Sequence, residues 1–544
     1  MSEIFYITME PSGRVLQAHE GDNLYTLLVI AGELSTEDHD HVQLLKGGIA
    51  PCSQPELEAA VYSSAELRDG WMLASLRRIN ANATIGISPT AAMGENTGEL
   101  PLSPLADCSG YGLAIDIGGG TIGAGIIDLT NLHIPAVTGG ANPQIRWGHS
   151  TADRINYCHR DLTGREKLQK ATVAELNRLI EKLCSKSGIS AEQISVVAIA
   201  ADTAEGNLIW GQMPDEPVGT LRAHITRQKT AAQCGFSDLP ADTACYLLPR
   251  RTASVGGDTI AAALAAGMAQ KQAQDKLTLL IDIGCDTGIM LAGRGRLLAT
   301  AVSSPSMVGL DLECGRPFGI GNITTVNMKD DLTLETVKDG RPVAISATGL
   351  LHLLCDMRRR GMLDSDGKLQ IPEALSEPLQ RRFRQSIRGR EFVLSNNRDG
   401  DVYISQNDIR QFQLAKGSIY AACMALMAHL NAGLDDVEAI LIADSYNAQL
   451  EPQHLLELGI IPQVTRDKIR YIGNAAWQGA YLTLTDAQHW QECERLAKDT
   501  AALNLSNNFT FASEFIKAME FPHKEPQQQS RLAQLRRIFL ENTR

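Results

Sequence analysis

Two runs in which apolar and polar residues alternate, IFYITM from Ile4 and RVLQA from Arg14, precede an apolar helical patch around Leu24 to Ile30. NATIGIS closes the segment at Ser88, which is the pattern of a small α+β module over residues 1–88. Residues 89–109 are rich in Pro, Gly, Ser and Ala and lack periodicity, so they read as a linker. Two β-rich runs around a glycine turn, YGLAIDIGGGTIGAGIIDL (111–129), then open an α/β body over 110–275. The same design returns as LTLLIDIGCDTGIMLAGRGRLLAT (277–300) and opens a second body over 276–522, the two Asp residues lying 166 positions apart.

Within the first body, EKLQKATVAELNRLIEKLCSKSGI predicts a helix ending at Gly188, and ISVVAIAAD a buried strand. The second body carries a helix over ATGLLHLLCDMRRRGML, a long helix from Ile409 to about Leu430, the strand VEAILIAD and a helical region at NAAWQGAYLTL. Residues 523–544 are polar and basic, a terminal helix or arm.

Composition narrows the class. The 544 residues are 44% hydrophobic and carry a net charge of −13, which excludes a disordered chain and argues against a nucleic-acid groove. The basic runs Arg358, Arg359, Arg360 and Arg381, Arg382, Arg384 read as solvated helix faces. Eleven cysteines without a Cys-x-x-Cys pair suit reduced thiols in a cytoplasmic protein. No secretory signal is evident, and the weakly charged stretch 417–434 reads as a core helix rather than a membrane span.

The repeated turns carry the chemistry. Glycines let backbone N–H groups approach phosphate oxygens, and an Asp at the strand end is free to hold hydrated Mg2+. Asp116 and Asp282, one from each body, suffice for such a cation if they face each other across a cleft. The alternative is a pair of ordinary hairpins whose Asp residues cap backbone groups. Neither turn is a G-x-x-x-x-G-K-[ST] loop or a strand-to-helix G-x-G-x-x-G, which weakens the P-loop and Rossmann readings.

With both turns placed, the chain resembles the actin, sugar-kinase and heat-shock-chaperone (ASKHA) superfamily of ATPases. The resemblance implies an α/β fold of two ribonuclease-H-like halves around a nucleotide cleft. More specifically, it resembles the reductive activators of corrinoid-dependent proteins, up to about residue 522. NPQIRWGHSTADRINY (142–157), CYLLPRRTASVGGDTIAAAL (245–264), ISQNDIRQFQLAKGSIYAA (404–422) and IGNAAWQGA (472–480) are among the segments that carry it.

The resemblance implies an ATP-dependent activator, a homodimer, that returns the corrinoid of a methyltransferase partner to cobalt(I). It assigns phosphate binding to Gly118, Gly119, Gly120 and Thr121 beside Asp116, and to Gly284 and Asp286 beside Asp282. The adenosine turn falls on Ala443, Asp444 and Ser445. It also implies a ferredoxin-like (β-grasp) first module holding an iron–sulfur cluster.

Here the chain departs from its relatives. A two-iron cluster needs four Cys thiolates, and residues 1–107 contain only Cys52, with Ser75 at the family's last cysteine position. No Fe–S cluster is expected, so an activator of this type needs an external electron donor. Gly288 and Val308 stand where relatives carry acidic residues, and where relatives have a glycine-rich A-G-A-F-G adenosine turn this chain has ADSYN (443–447), offering Asp444 and Ser445 instead.

Three functions follow: a weak ATPase that activates a corrinoid protein, a non-catalytic pseudo-ATPase that docks one, or a small-molecule kinase. Asp202 and Thr203 read as a phosphate or partner contact or as a strand-end cap. Gly256, Gly257 and Asp258 open a small-residue helix, either for phosphate at its N-terminus or for tight packing. Lys416 reads as a surface or interdomain ion pair rather than an ATP contact, and Trp71, Trp147, Trp210 and Trp477 as core or interface anchors. The twelve histidines show no ligand spacing.

Overall fold

The computed structural model describes residues 4–10, 14–31, 41–52, 67, 70–87, 110–215, 227–317, 319–387, 389–398, 400–444, 450–506 and 508–522. The expected linker, the polar C-terminal segment and Ser445 lie outside the described residues. Two compact units result, residues 1–101 with 131–133, and the remainder.

In the first unit, β1 (Ile4–Glu10), β2 (Val15–His19), β3 (His41–Gly47), β4 (Trp71–Leu73) and β5 (Ala83–Ile87) form one sheet in the order β2-β1-β5-β3-β4. β1 pairs antiparallel with β2 and parallel with β5. The alternating exposure of β2 points one face at a core in which Leu24 and Leu28 of the helix Leu24–Ile30 pack on Ile7, Met9 and Ile85. This is the small α+β module read from the alternation.

The second unit holds two sheets of one design. β6 (Tyr111–Ile117), β7 (Thr121–Asp128), β8 (Ala136–Ala141), β9 (Ile194–Ala201), β10 (Arg227–Thr230) and β11 (Ala244–Leu247) follow the order β10-β11-β9-β6-β7-β8. β12 (Leu277–Ile283), β13 (Asp286–Gly293) and β14 (Arg296–Ser303) begin the second sheet. The chain then builds two small sheets, β15 (Asn322–Met328), β16 (Leu332–Thr336) and β17 (Ala344–Ile345), followed by β18 (Phe383–Ser386), β19 (Gly389–Ser395) and β20 (Val402–Ser405). It returns through β21 (Val437–Asp444), β22 (Ile469–Tyr471) and β23 (Ala501–Ala502), giving β22-β21-β12-β13-β14-β23.

In each sheet an antiparallel hairpin leads and later strands add parallel to its first strand, β9 on β6 and β21 on β12. The registers match as well. Asp116 pairs with Gly123 and Asp282 with Gly288.

One apolar cluster draws on both halves, joining Ala114 and Val196 to Leu280, Met290, Ala476 and Trp490, so the halves share a floor. The helices Gly257–Ala265 and Ala475–Thr485 cross there. Their approach is close because Gly479 has no side chain; a Cβ on it would lie 2.1 Å from the Ala261 carbonyl oxygen. The expected helix end at Gly188 appears as a left-handed C-cap with φ 72°. The long helix runs Gln406–His429, beginning three residues before Ile409, because Ser405 and Asp408 form a capping box that apolar periodicity does not register.

Two charge expectations are corrected. Lys416 makes no ion pair at the surface; it is 1% exposed and donates to the carbonyl oxygens of Ala518 and Glu520 at 2.5 and 2.7 Å. One of those carbonyls ends the helix Phe509–Ala518 and the other follows its cap, so the amine clasps the end of that helix to the long helix. Of the arginine runs, Arg358 is buried and donates to Leu363 and Pro522 carbonyls, while Arg384 lies on β18 and pairs with Glu391 and Asp401. These are tertiary anchors rather than solvated helix faces.

Burial, reinforced by the nearby Arg358 charge, pushes the Lys416 amine down to about 7. Between pH 7 and the unfolded value of 10.5 the unfolded chain binds the extra proton, so this group's contribution to stability rises with pH. The stability of the wild type relative to Lys416→Met should therefore climb by roughly 1.4 kcal/mol per unit between pH 7 and 8.5, measured by urea unfolding. A flat or falling difference contradicts the clasp.

Candidate functional site

The two hairpin turns meet. Gly118, Gly119 and Gly120 link β6 to β7, and the shorter pair Gly284 and Cys285 links β12 to β13. A Cβ on Gly119 would stand 2.9 Å from the Cys285 Cβ, so only glycine allows this approach. Between the turns lies a cavity lined by Asp116, Gly118, Gly119, Gly120, Thr121, Asp202, Asp258, Asp282, Gly284, Cys285 and Asp286. Its volume is about 20 Å3, close to that of one water molecule.

Ten residues singled out from the sequence thus line one space, and Cys285 joins them. Thr203, Gly256, Gly257, Ala443 and Asp444 do not line it. Thr203 donates to the Thr252 carbonyl at 2.7 Å. Gly256 and Gly257 are packing glycines, whose Cβ atoms would fall 2.7 Å from Asp202 Cα and 2.9 Å from the Leu248 carbonyl oxygen. Ala443 pairs with Asp282 across β21 and β12. Asp444 is 1% exposed and accepts a hydrogen bond from the Tyr471 hydroxyl at 2.9 Å.

Five carboxylates share the cavity. Burial raises Asp282 well above the usual carboxylate range, and the charges of Asp116, Asp258 and Asp444 add to the rise. Burial lifts Asp202 likewise, with Glu205, Asp258 and Asp286 adding to it. Asp258 is pushed up to about 6, mainly by burial and partly by Asp286, against a backbone hydrogen bond from Thr259. Burial also raises Asp286, although Thr151 donates to it.

Local structure explains why they stay together. Asp202 caps the helix Thr203–Ile209 by accepting from Glu205 N at 2.7 Å, so it is both a strand-end cap and a cavity wall. Asp258 stands in the first turn of the helix Gly257–Ala265. That helix approaches β13 through Gly288, where a Cβ would lie 2.6 Å from Thr259 Oγ1. A side chain at 288 would displace Thr259, and Asp258 brings a carboxylate to the cavity from the same helix.

Reading the sequence missed three supports. Asn474 donates to Asp116 at 2.9 Å while capping the helix Ala475–Thr485, the Asn before a small-residue helix being the available signal. Arg154, 2% exposed, pairs with Glu205 at 2.5 Å and donates to the Gly119 carbonyl. Gln144 adds a 2.8 Å bond to Glu205. Nothing in the local sequence pairs Arg154 with a Glu 51 residues away.

Other contacts clasp the halves at the cavity's edge. Ile145 packs with Cys285, Val308 and Leu310, so Val308 serves an apolar contact there. His149 meets Asp311 at 2.7 Å, and that hydrogen bond raises the His149 imidazole above its ordinary value.

Family models describing the middle region of RACo and its C-terminal ASKHA domain match residues 111–271 and 276–533. The chain belongs to the RACo family, the reductive activators of corrinoid proteins. The corrinoid activation enzyme RamQ of Eubacterium limosum is 24% identical over 418 residues, which is 75% of this chain and 69% of RamQ. The solved structure of a reductive activator for a corrinoid, iron-sulfur protein shares the fold at TM-score 0.70 and 22% identity, over 96% of this chain and 99% of the other. The RACo fold thus comprises here an ASKHA-type body and a small N-terminal α+β module.

The crowded carboxylates set a pH dependence. Between the unfolded value of 3.8 and about 6, the folded protein holds a proton on Asp258 that the unfolded chain has lost, so stability falls as pH rises through that window. Asp258→Asn should gain up to about 3 kcal/mol over wild type at pH 7.5, and little at pH 4, in thermal melts without divalent cation. Equal effects at both pH values contradict the assignment.

Proposed function

We propose that this RACo-family protein is a weak, Mg-ATP-dependent activator of a corrinoid-binding methyltransferase protein. It would promote one-electron reduction of the partner's cobalt(II) to cobalt(I), with the electron coming from an external donor. The observation that carries this reading is the meeting of two glycine turns, each with its strand-end Asp, from halves that share one floor.

The donor set fits a magnesium ion. Asp116 and Asp282 would hold it through water, with Asp258 and Asp286 adding charge, and a divalent cation would offset the burial and the repulsion that together raise Asp282. The glycine turns fit phosphate oxygens by their bare backbone, but the space of about 20 Å3 does not hold a triphosphate. Nucleotide entry therefore has to part Gly119 from Cys285, and with them the Ile145, Thr151 and His149 contacts across the halves. ATP supplies phosphoryl-transfer free energy. The chain's own contribution is to couple the separation of its turns to movement of its halves about the shared floor.

Electron delivery from outside follows from the first module. Its only cysteine is Cys52, short of the four thiolates of a two-iron cluster, so we propose that the module packs or docks and holds no cluster. A homodimer in the cytoplasm suits the reading. Among the described residues no helix is long and apolar enough to cross a membrane.

A second reading, a pseudo-ATPase that docks its partner without turnover, is favoured by the tight cavity and by Gly288 and Val308. One experiment separates the two. The full chain, an oxidised corrinoid protein and a titanium(III) donor are mixed anaerobically with and without Mg-ATP, and cobalt(I) absorbance is followed. The activator reading predicts cobalt(I) only with Mg-ATP, slow phosphate release, both reduced roughly tenfold or more by Asp282→Asn, and substoichiometric iron. Corrinoid-protein binding without ATP-dependent cobalt(I) supports the pseudo-ATPase and sinks the activator.

A further inference from the structure

Outside the cavity, three potential ligands converge from two helices. His352 lies in the helix Ala347–Arg359; Glu451 is the N-cap residue of the helix Pro452–Glu457, and His454 lies in its first turn. One ligand atom from each residue lies within 4.8 Å of the other two. Glu451 spans the pair, with one carboxylate oxygen 3.7 Å from His352 Nε2 and the other 3.7 Å from His454 Nε2. The rings meet edge to face with centroids 4.6 Å apart. Among the described residues neither imidazole has a hydrogen-bond partner, although the His454 side chain is only 9% exposed.

Burial grades across the group. The His352 side chain is 23% exposed and that of Glu451 58%, so the rings form a sheltered base and the carboxylate an adjustable open side. The neighbouring cation is already engaged, because Arg359 donates to both Glu457 oxygens at 2.9 and 2.6 Å. Glu451 is left to the two rings. A tetrahedral ion with bonds of about 2.0–2.1 Å has ligand–ligand edges of roughly 3.3–3.4 Å. The Glu–His spacings of 3.7 Å, each to a different carboxylate oxygen, need a few tenths of an ångström of closure from the exposed Glu side chain, and the single ligand atoms, which lie within 4.8 Å of one another, draw in by up to about 1.5 Å through side-chain rotation.

We infer that His352, Glu451 and His454 bind one zinc-class divalent ion, with solvent completing its coordination. Two imidazoles and one carboxylate suit a borderline cation such as Zn2+, whereas Mg2+ and Ca2+ prefer all-oxygen shells. The ion would pin the helix Ala347–Arg359 to the start of Pro452–Glu457. Glu451 lies seven residues beyond the end of β21, the strand beside Asp282. This site is independent of nucleotide binding.

The test uses the full chain stripped with chelator and titrated with Zn2+ against a chromophoric competitor, with Co2+ as a spectroscopic probe. Wild type should take up one equivalent and give a visible Co2+ d–d band of low coordination number. Glu451→Gln, at a side chain exposed enough to leave the fold intact, and His352→Asn should each weaken zinc by more than the roughly 10–100-fold of outer-shell changes and abolish the band. Asp282→Asn should retain it, which separates this site from the acidic cavity. No uptake by wild type, or uptake unchanged in both Glu451→Gln and His352→Asn, overturns the proposal.

Discussion

Five carboxylates are held in a space that admits about one water molecule, and the body of the protein is built so that they stay there. Buried like charges repel strongly in a medium of low dielectric, and burial together with that repulsion drives Asp202, Asp258, Asp282 and Asp286 toward their protonated forms. The chain opposes that repulsion with geometry. Asp116 and Asp282 end strands inside continuous sheets, Asp202 is fixed by its own helix cap, and Asp258 is carried in by a helix that leans on Gly288. The shared apolar floor keeps the two sets from drifting apart. A cation bound there, as proposed above, would offset that repulsion and stabilise the folded arrangement.

The same constraint gives sense to Gly288 and Val308 beside the cavity. An acid at 288 would collide with Thr259, and the helix carrying Thr259 also carries Asp258. Asp258 adds its carboxylate to the cavity from a helix that packs closely on β13 at Gly288. Val308 turns the neighbouring position apolar and joins Ile145 of the other half, so the edge of the cavity is clasped by packing. Opening it requires breaking that contact together with the Thr151–Asp286 and His149–Asp311 pairs, which makes the closed arrangement a defined state.

Much of the body was readable because its signals are local. The two D-I-G turns, their flanking strands and the glycine end of the helix Gly164–Ser187 all sit within short windows of sequence. What escaped depends on partners far along the chain. Asn474 reaches Asp116 across 358 residues, Arg154 reaches Glu205 through the fold, and Lys416 turns inward to carbonyls about a hundred residues later. Histidines 102 positions apart, His352 and His454, show no ligand spacing and yet share an edge-to-face contact. Backbone carbonyls as lysine acceptors leave no side-chain signature at all, which is why Lys416 read as a surface ion pair.

The most direct measurement is anomalous diffraction from crystals grown with Mn2+ and a non-hydrolysable ATP analogue. The account predicts one manganese peak between Asp116 and Asp282, triphosphate density against Gly118–Gly120 and Gly284, and a Gly119–Cys285 separation wider than in the structure described above. Turns still in contact, with no manganese between the aspartates at saturating analogue, would contradict it.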